Sequence, residues 1–169
     1  MKSTTSRTCR LATFAFLATL AFITAHVTAA EQTSMKPVSG TLSFIRLYTG
    51  PDGVSHFADE TLKLEARGTE GMDALMAVNR FGDVKGAQFA MLKAGVTEDW
   101  HPAPRRQFMV CLRGLVEVTA GDGEKRRVKP GEFLLVEDTS GKGHITHAAG
   151  SEDHVALALP LADGTLTRK

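Results

Sequence analysis

Cysteine is scarce in this chain, with only two among 169 residues. Two cysteines cannot form the disulfide framework of a secreted miniprotein, so the stability must come from a hydrophobic core. An excess of either charge sign is also missing, since 20 basic residues stand against 19 acidic ones. That balance argues against nucleic acid as a partner. The hydrophobic content of 43% argues against disorder, and the length suits one domain.

Familiar catalytic signatures are missing as well. The chain contains no GxGxxG, P-loop, GxSxG, HExxH or CxxC motif. Their absence removes the standard assignments to nucleotide binding, zinc proteolysis and thiol redox chemistry. The basic triplet Lys125-Arg126-Arg127 lies between turn residues and a strand pattern, which indicates a solvated strand edge.

A long apolar run occurs only near the amino terminus. The first ten residues carry three basic side chains and no acid, residues 11–25 are uncharged, and small residues follow over 27–30. This order predicts a cleavable signal peptide over residues 1–30, and therefore an exported, periplasmic or secreted protein. The apolar run is short for a membrane span of about 20 residues, so we expect no stable membrane anchor after cleavage.

The remaining 139 residues carry 17 basic and 19 acidic side chains, a net charge of −2, and Cys111 as their one cysteine. Short apolar runs separated by glycine-containing turns predict an all-β domain over 40–162, after a flexible segment at 31–39 and before a tail at 163–169. One brief helix is predicted at Met72–Asn79. The predicted strands are Thr41–Tyr48, Thr61–Glu65, Gly86–Lys93, Gln107–Leu112, Leu115–Thr119, Lys125–Lys129, Glu132–Val136, His144–Ala148 and His154–Leu159.

Residues 95–114 carry the most informative pattern. Gly95 is followed after five residues by His101, and Gly114 closes the segment. This spacing resembles the first motif of the cupin superfamily, in which a glycine precedes His-x-His, a glutamate and a second glycine. The second histidine of that motif is replaced here by Ala103 and the glutamate by Gln107.

A second, weaker match lies downstream. Pro130-Gly131-Glu132 and the apolar run after it resemble the start of the second cupin motif, and His144 matches its last histidine ligand. The phrases HPAPRRQF and VEDTSGKGH resemble a subgroup of small single-domain cupins without a settled biochemical role. The resemblance covers roughly Gly40 to Leu161 and implies a jelly-roll β-barrel whose motif residues face an internal pocket.

Strand alternation places further side chains in that pocket. If Gln107 points inward, Met109 and Cys111 do as well, and Thr146 joins His144 in the same way. His101 is expected to come from the turn before the Gln107 strand. The predicted metal ligands are therefore His101, Gln107 and His144, with Met109, Cys111 and Thr146 lining the pocket.

Arg105 shares the parity of Gln107 if the strand begins early. Its guanidinium is then a candidate pocket group that would hold a substrate carboxylate. The competing interpretation, which we favour, is a salt bridge to Glu98, Asp99 or Glu117. Elsewhere, His56, His147 and His154 fit ordinary surface or core histidines. His56 could supply a fourth ligand, but no motif supports that placement, and the residues define no role for Cys111 beyond the pocket wall.

Two functions stay open at this point, beside a third, thiol redox chemistry through Cys111, which would need a reactive thiolate. The first is a barrel that binds a small molecule through a divalent transition metal (Fe, Mn, Ni, Cu or Zn) held by His101 and His144, with the reaction undefined. The second is a non-catalytic, metal-free ligand-binding or interaction barrel, which the changes at Ala103 and Gln107 favour. Exposed strand edges also make a homodimer a candidate assembly.

Overall fold

The computed structural model describes residues 37–79 and 82–162. The predicted signal peptide, most of the 31–39 segment and the 163–169 tail lie outside the described residues. Within the described residues no helix is both long and apolar enough to span a membrane. The elements are β1 (Ser39–Thr49), β2 (Ser55–Ala66), α1 (Gly71–Leu75), β3 (Ala77–Val78), β4 (Gln88–Leu92), β5 (Thr97–His101), β6 (Gln107–Arg113), β7 (Leu115–Thr119), β8 (Lys125–Val128), β9 (Phe133–Glu137), β10 (His144–Ala149) and β11 (His154–Pro160).

Two sheets form the domain. The larger has the strand order β3-β2-β1-β9-β6-β11-β4, and the smaller has the order β5-β10-β7-β8. Neighbouring strands are antiparallel except for the pair β1 and β9. The all-β, single-domain prediction is therefore confirmed for the described part of the chain.

Alternating apolar side chains explain where the core lies. In β9, Leu134 and Val136 join the main core cluster, whereas Leu135 belongs to a second cluster with Phe44. Successive strand residues point to opposite faces, so β9 is buried on both sides as a central strand should be. Both clusters therefore pack against the strand that precedes the loop leading to His144. The main cluster comprises Leu47, Phe57, Ala103, Cys111, Val116, Val118, Ala120, Val128, Leu134 and Val136.

Two predictions need correction. His101, expected in the turn before the Gln107 strand, instead ends β5, which pairs with β10. The helix, expected over Met72–Asn79, is only α1, because Ala77 and Val78 form β3 beside the end of β2. In both places pairing with a neighbouring strand outweighs the local helix or turn preference.

His56 joins two turns at one end of the barrel. Its Nδ1 lies 2.7 Å from Asp122 in the β7–β8 turn, and its Nε2 lies 2.9 Å from Asp52 in the β1–β2 turn. Hydrogen bonds that the ring donates to Asp52 and then to Asp122 raise the pKa of the imidazole. Hydrogen bonds from the Val54 backbone and then His56 lower the pKa of Asp52. Hydrogen bonds from the Glu124 backbone and then His56 lower the pKa of Asp122, although burial opposes them. The sequence had given His56 no role beyond an ordinary histidine.

This cluster predicts a stability difference with a defined pH window. A histidine whose pKa is raised in the folded state stabilises below its unfolded pKa, and the contribution is lost as pH rises through the folded pKa. The depressed Asp carboxyls contribute above about pH 4 and lose that contribution on further acidification. We therefore expect His56→Gln to destabilise most near pH 5.5 and little above pH 8, measured by urea unfolding. His147→Gln is the control, and an equal His56→Gln effect at both pH values would contradict the prediction.

Candidate functional site

A cavity of about 170 Å³ lies inside the barrel. Its wall is mostly apolar, with seven side chains that can donate or accept hydrogen bonds. The apolar lining is Ala90, Met91, Leu92, Ala103, Pro104, Met109, Val116, Val118, Val128, Leu134, Val136 and Ala156, and the polar lining is Glu98, His101, Gln107, Cys111, His144, Thr146 and His154. A cavity with this lining suits a small molecule with an apolar body and few polar groups.

Two histidines stand side by side in this cavity. His101 ends β5 and His144 begins β10, where the register pairs them directly. Their ring centroids are 4.4 Å apart. Nδ1 of His101 donates to the carbonyl oxygen of Asp99 at 2.7 Å, and Nδ1 of His144 donates to Oδ2 of Asp138 at 2.6 Å. Both acceptors fix the Nδ1–H tautomer, so each ring keeps Nε2 as the nitrogen that can bind a metal ion or a ligand.

Asp138 supports the pair from behind. Its side chain is fully buried, and Oδ1 has no hydrogen-bond partner among the described residues. Its carbonyl oxygen also accepts from the Ala103 amide at 3.0 Å, which ties the β5–β6 loop to the start of the β9–β10 loop. A buried carboxylate with one free oxygen needs a nearby positive charge. A cation bound at the histidine pair would supply that charge.

Glu98 joins the histidines because β5 contains a bulge. Register partners are His101 with His144 and Glu98 with Thr146, so Asp99 and Trp100 together oppose a single residue of β10. The extra residue turns both Glu98 and His101 toward the cavity, although they are three apart. Oε2 of Glu98 lies 3.7 Å from Nε2 of His101. Alternation counted in twos had missed Glu98, since a bulge has no clear sequence signal.

The other predicted residues divide into two groups. Gln107, Met109, Cys111 and Thr146 all line the cavity, in agreement with the predicted strand parity. Arg105 is exposed and does not line the cavity, because β6 begins only at Gln107. None of its expected acidic partners bonds to it in the described structure.

Arg106, next to Arg105, lies against the face of the larger sheet that points away from the cavity. Its Nε donates to Glu137 at 2.9 Å, and Arg46 donates to the same carboxylate. Burial alone would raise the pKa of Glu137, but the hydrogen bonds from the two arginines outweigh it and hold that pKa below its ordinary value. Glu137 and Asp138 are therefore adjacent carboxylates with partners on opposite sides of the sheet.

Cys111 and His154 form a second polar pair in the cavity wall. Sγ of Cys111 lies 3.6 Å from Nδ1 of His154, and both side chains are buried. Burial raises the pKa of the Cys111 thiol and lowers the pKa of His154. Both groups are therefore uncharged near neutral pH. The sequence had predicted Cys111 as a pocket-lining residue, but His154 as an ordinary histidine without a place in the pocket.

The donor set can be compared with what a metal ion needs. Among the described residues no group of three His, Cys, Asp or Glu side chains is placed to hold a metal. The cavity instead offers two imidazoles with fixed tautomers, the Gln107 amide and the nearby Glu98 carboxylate. Imidazoles whose Nδ1–H is held by a carboxylate or carbonyl are typical of metal ligands. The unpaired oxygen of Asp138 also favours a cation beside His144, so the residues fit a divalent metal bound chiefly by the histidines.

Comparison with known proteins identifies the domain. Residues 88–160 match the family model Cupin_2, described as a cupin domain. The resemblance drawn from the sequence motifs is thereby confirmed. No curated protein matches the chain.

Three solved structures illustrate the likeness. A Cupin 2 conserved barrel domain protein from Salinispora arenicola is 17% identical, with 46% of this chain and 62% of that chain covered and a TM-score of 0.39. The DMSP lyase DddQ from Ruegeria pomeroyi is 26% identical, with 46% and 38% covered and a TM-score of 0.39. A Cupin 2 conserved barrel domain protein from Leptotrichia buccalis is 16% identical, with 76% and 80% covered and a TM-score of 0.37. The chain thus spans less than two thirds of the length of the first two.

Proposed function

We propose that this chain, whose residues 88–160 form a cupin domain, is an exported barrel protein that binds a small molecule beside a divalent metal ion held by His101 and His144. One observation carries the proposal. Two adjacent imidazoles, with ring centroids 4.4 Å apart, face a largely apolar cavity, and both have Nδ1 engaged by an oxygen acceptor. Their Nε2 atoms are the nitrogens left to bind.

The neighbouring residues complete the proposed site. Gln107 and Glu98 would supply the protein oxygens closest to the two imidazoles, since all four side chains line the same cavity. A bound divalent ion (Fe, Mn, Ni, Cu or Zn) would act as a Lewis acid toward an oxygen of the ligand. Asp138 positions His144, and the Asp99 carbonyl positions His101. The apolar wall excludes water and limits the ligand to a small molecule.

A second candidate function has its own support. Two of the family's ligand positions hold Ala103 and Gln107, and the described residues contain no ready three-ligand group. In that case the two histidines would bind the ligand directly by hydrogen bonds through Nε2. The protein would then be a non-catalytic, metal-free ligand-binding or interaction barrel.

Export and assembly are part of the same proposal. The basic and apolar pattern of residues 1–30 supports export, and it argues against an anchor that persists after cleavage. A homodimer is supported by β4, an edge strand of the larger sheet whose Phe89 is 78% exposed. An exposed edge with an apolar side chain is a surface on which a second copy can pair.

Metal analysis tests the proposal. The chain without residues 1–30 is reconstituted with Fe(II), Mn(II), Ni(II), Cu(II) and Zn(II) in separate samples, desalted and analysed for metal. We expect about one ion per chain with at least one of these metals, and a loss of at least ten-fold in affinity in His101→Ala and His144→Ala. His147→Ala is the control, because its Nδ1 bonds to Thr97 instead.

The outcomes separate the two candidates. If wild type and both cavity variants carry equally little metal while all remain folded by circular dichroism, the metal proposal is wrong and the metal-free candidate is favoured. If His147→Ala loses as much metal as the cavity variants, the bound ion lies elsewhere on the protein.

A further inference from the structure

The two polar pairs lie at opposite ends of the cavity. β10 runs from His144 to Ala149, and Ala149 pairs with Leu115, which follows the end of β6. Cys111 therefore lies toward the end of the barrel opposite His144. Gln107, four residues earlier on β6, lies at the His144 end, beside Val136 of β9. Four strand residues span about 13 Å. The two pairs are therefore far enough apart for a ligand of several atoms to lie between them.

The stretch between the two pairs is apolar. Met109 lies between Gln107 and Cys111 on β6, and the facing walls contribute aliphatic side chains. Ala156 of β11 pairs with Cys111 and is only a methyl group, which leaves free volume at that point. The cavity is thus polar at one end, apolar in the middle and polar again at the other end. A ligand that fills it should have the same order of groups.

The Cys111–His154 pair differs in its hydrogen bonding from the His101–His144 pair. Sγ of Cys111 donates weakly to the Gly114 carbonyl at 3.5 Å, and Nδ1 of His154 is 3.6 Å from Sγ. His154 is also hydrogen-bonded to the Arg113 backbone, and its buried imidazole lines the cavity. An imidazole has two ring nitrogens, so a ring that faces a cavity can form a further hydrogen bond with a ligand. Desolvation lowers the pKa of His154, and Cys111 is a neutral thiol, so a second charge at this end would be unpaired.

We infer that Cys111 and His154 form a second subsite, which binds a neutral hydrogen-bonding group at the far end of a short ligand whose anionic head lies at His101 and His144. The ligand class is a short-chain acid with an apolar middle and a terminal hydroxyl or similar neutral group. The inference rests on the proposed function for the head, because a divalent ion at His101 and His144 would bind a carboxylate, and on the cavity wall alone for the far end.

The test uses three series of simple acids with four to eight carbons. Unsubstituted carboxylates such as hexanoate have one polar end, ω-hydroxy acids such as 6-hydroxyhexanoate have a neutral second end, and dicarboxylates such as adipate have a charged one. Binding to the metal-reconstituted chain is measured by calorimetry. At the best length we expect the hydroxy acid to bind about five-fold tighter than the plain acid, and at least ten-fold tighter than the diacid.

Variants assign the preference to the subsite. His154→Leu should bind the plain and hydroxy acids about equally. Cys111→Ala is the second variant, and a reduced preference there supports the subsite even if His154→Leu fails to fold. His144→Ala should weaken both acids together, because it changes the other end.

Failure of the inference and failure of the proposed function are distinguishable. The inference is overturned if no length of hydroxy acid is preferred, if the preference survives both Cys111→Ala and His154→Leu, or if none of the acids binds. The proposed function fails, with the subsite upheld, if the hydroxyl preference depends on His154 while neither His101→Ala nor His144→Ala changes the affinity.

Discussion

Replacing Gly143 by alanine is expected to separate His101 from His144, to abolish metal binding at the pair and to destabilise the fold by about 4 kcal/mol. Gly143 precedes His144 and has φ of +76°, a conformation that L side chains rarely adopt. A Cβ at this position would overlap the backbone carbonyl of His101 far inside van der Waals contact. The backbone of His101, at the end of β5, therefore lies directly against Gly143, the residue before β10.

The surrounding hydrogen bonds prevent the backbone from moving to relieve that overlap. The Gly143 carbonyl accepts from Oγ of buried Ser55 at 2.7 Å, and the same Oγ accepts from the Gly121 amide at 2.6 Å. His101 is fixed on its side by pairing with His144 and by the Ala103–Asp138 backbone bond. Movement of either backbone breaks bonds in the interior, so the methyl group cannot be accommodated by a small local shift.

Gly95→Ala is the matched control for this prediction. Gly95 has φ of +78°, yet a Cβ there meets nothing within 4 Å. Gly95→Ala should therefore lose only the backbone conformational contribution, about 1–2 kcal/mol of unfolding free energy, and should retain metal. Urea unfolding and metal analysis of both variants provide the measurement. Equal destabilisation by the two substitutions, or full metal binding by Gly143→Ala, would show that the close approach to His101 does not hold the site together.

Simple strand alternation was enough to predict much of the cavity wall. Gln107, Met109 and Cys111 share a face of β6 because the strand is regular, and Thr146 shares a face with His144 for the same reason. Arg105 fell outside the rule because the strand begins two residues after it. Strand alternation therefore predicts the cavity-facing side chains where a strand has no bulge and its first residue can be recognised in the sequence.

The residues that were missed depend on tertiary structure. Glu98 faces the cavity only because β5 contains a bulge, which local sequence does not signal. His154 lines it because β11 pairs with β6, a contact between segments more than 40 residues apart. Asp138 reads as one of several polar loop residues, and its full burial follows from the loop passing beneath His144. Such placements require the packed sheets, not the pattern of one strand.

Asp138→Asn is expected to weaken metal binding by about 10- to 100-fold while the fold is retained. The amide keeps a similar size and an oxygen that can accept from Nδ1 of His144, so the ring position should change little. The negative charge is lost, however, and with it the carboxylate that makes the imidazole a stronger donor through Nε2. Titration with the metal identified above, in competition with a chelating dye, measures the change.

The adjacent carboxylate provides the matched control. Glu137→Gln removes a charge one residue away, but its partners Arg46 and Arg106 lie on the opposite face of the sheet. Removal of one member of a largely buried ion cluster should cost about 3 kcal/mol of unfolding free energy and leave metal affinity within about two-fold of wild type. If Asp138→Asn instead binds metal as wild type does, Asp138 does not tune His144.

The Asp138→Asn variant also bears on the metal-free candidate. The carboxylate oxygen that accepts from Nδ1 of His144 becomes an amide oxygen, so the hydrogen bond that orients the ring is weakened but kept. If the histidine pair binds a metal, added metal should stabilise wild type more than Asp138→Asn, because a ligand stabilises the folded state according to its affinity. If the pair binds no metal, added metal should change the unfolding free energy of neither protein through this site. Urea unfolding of both proteins at one pH, with and without metal, therefore distinguishes the two candidates.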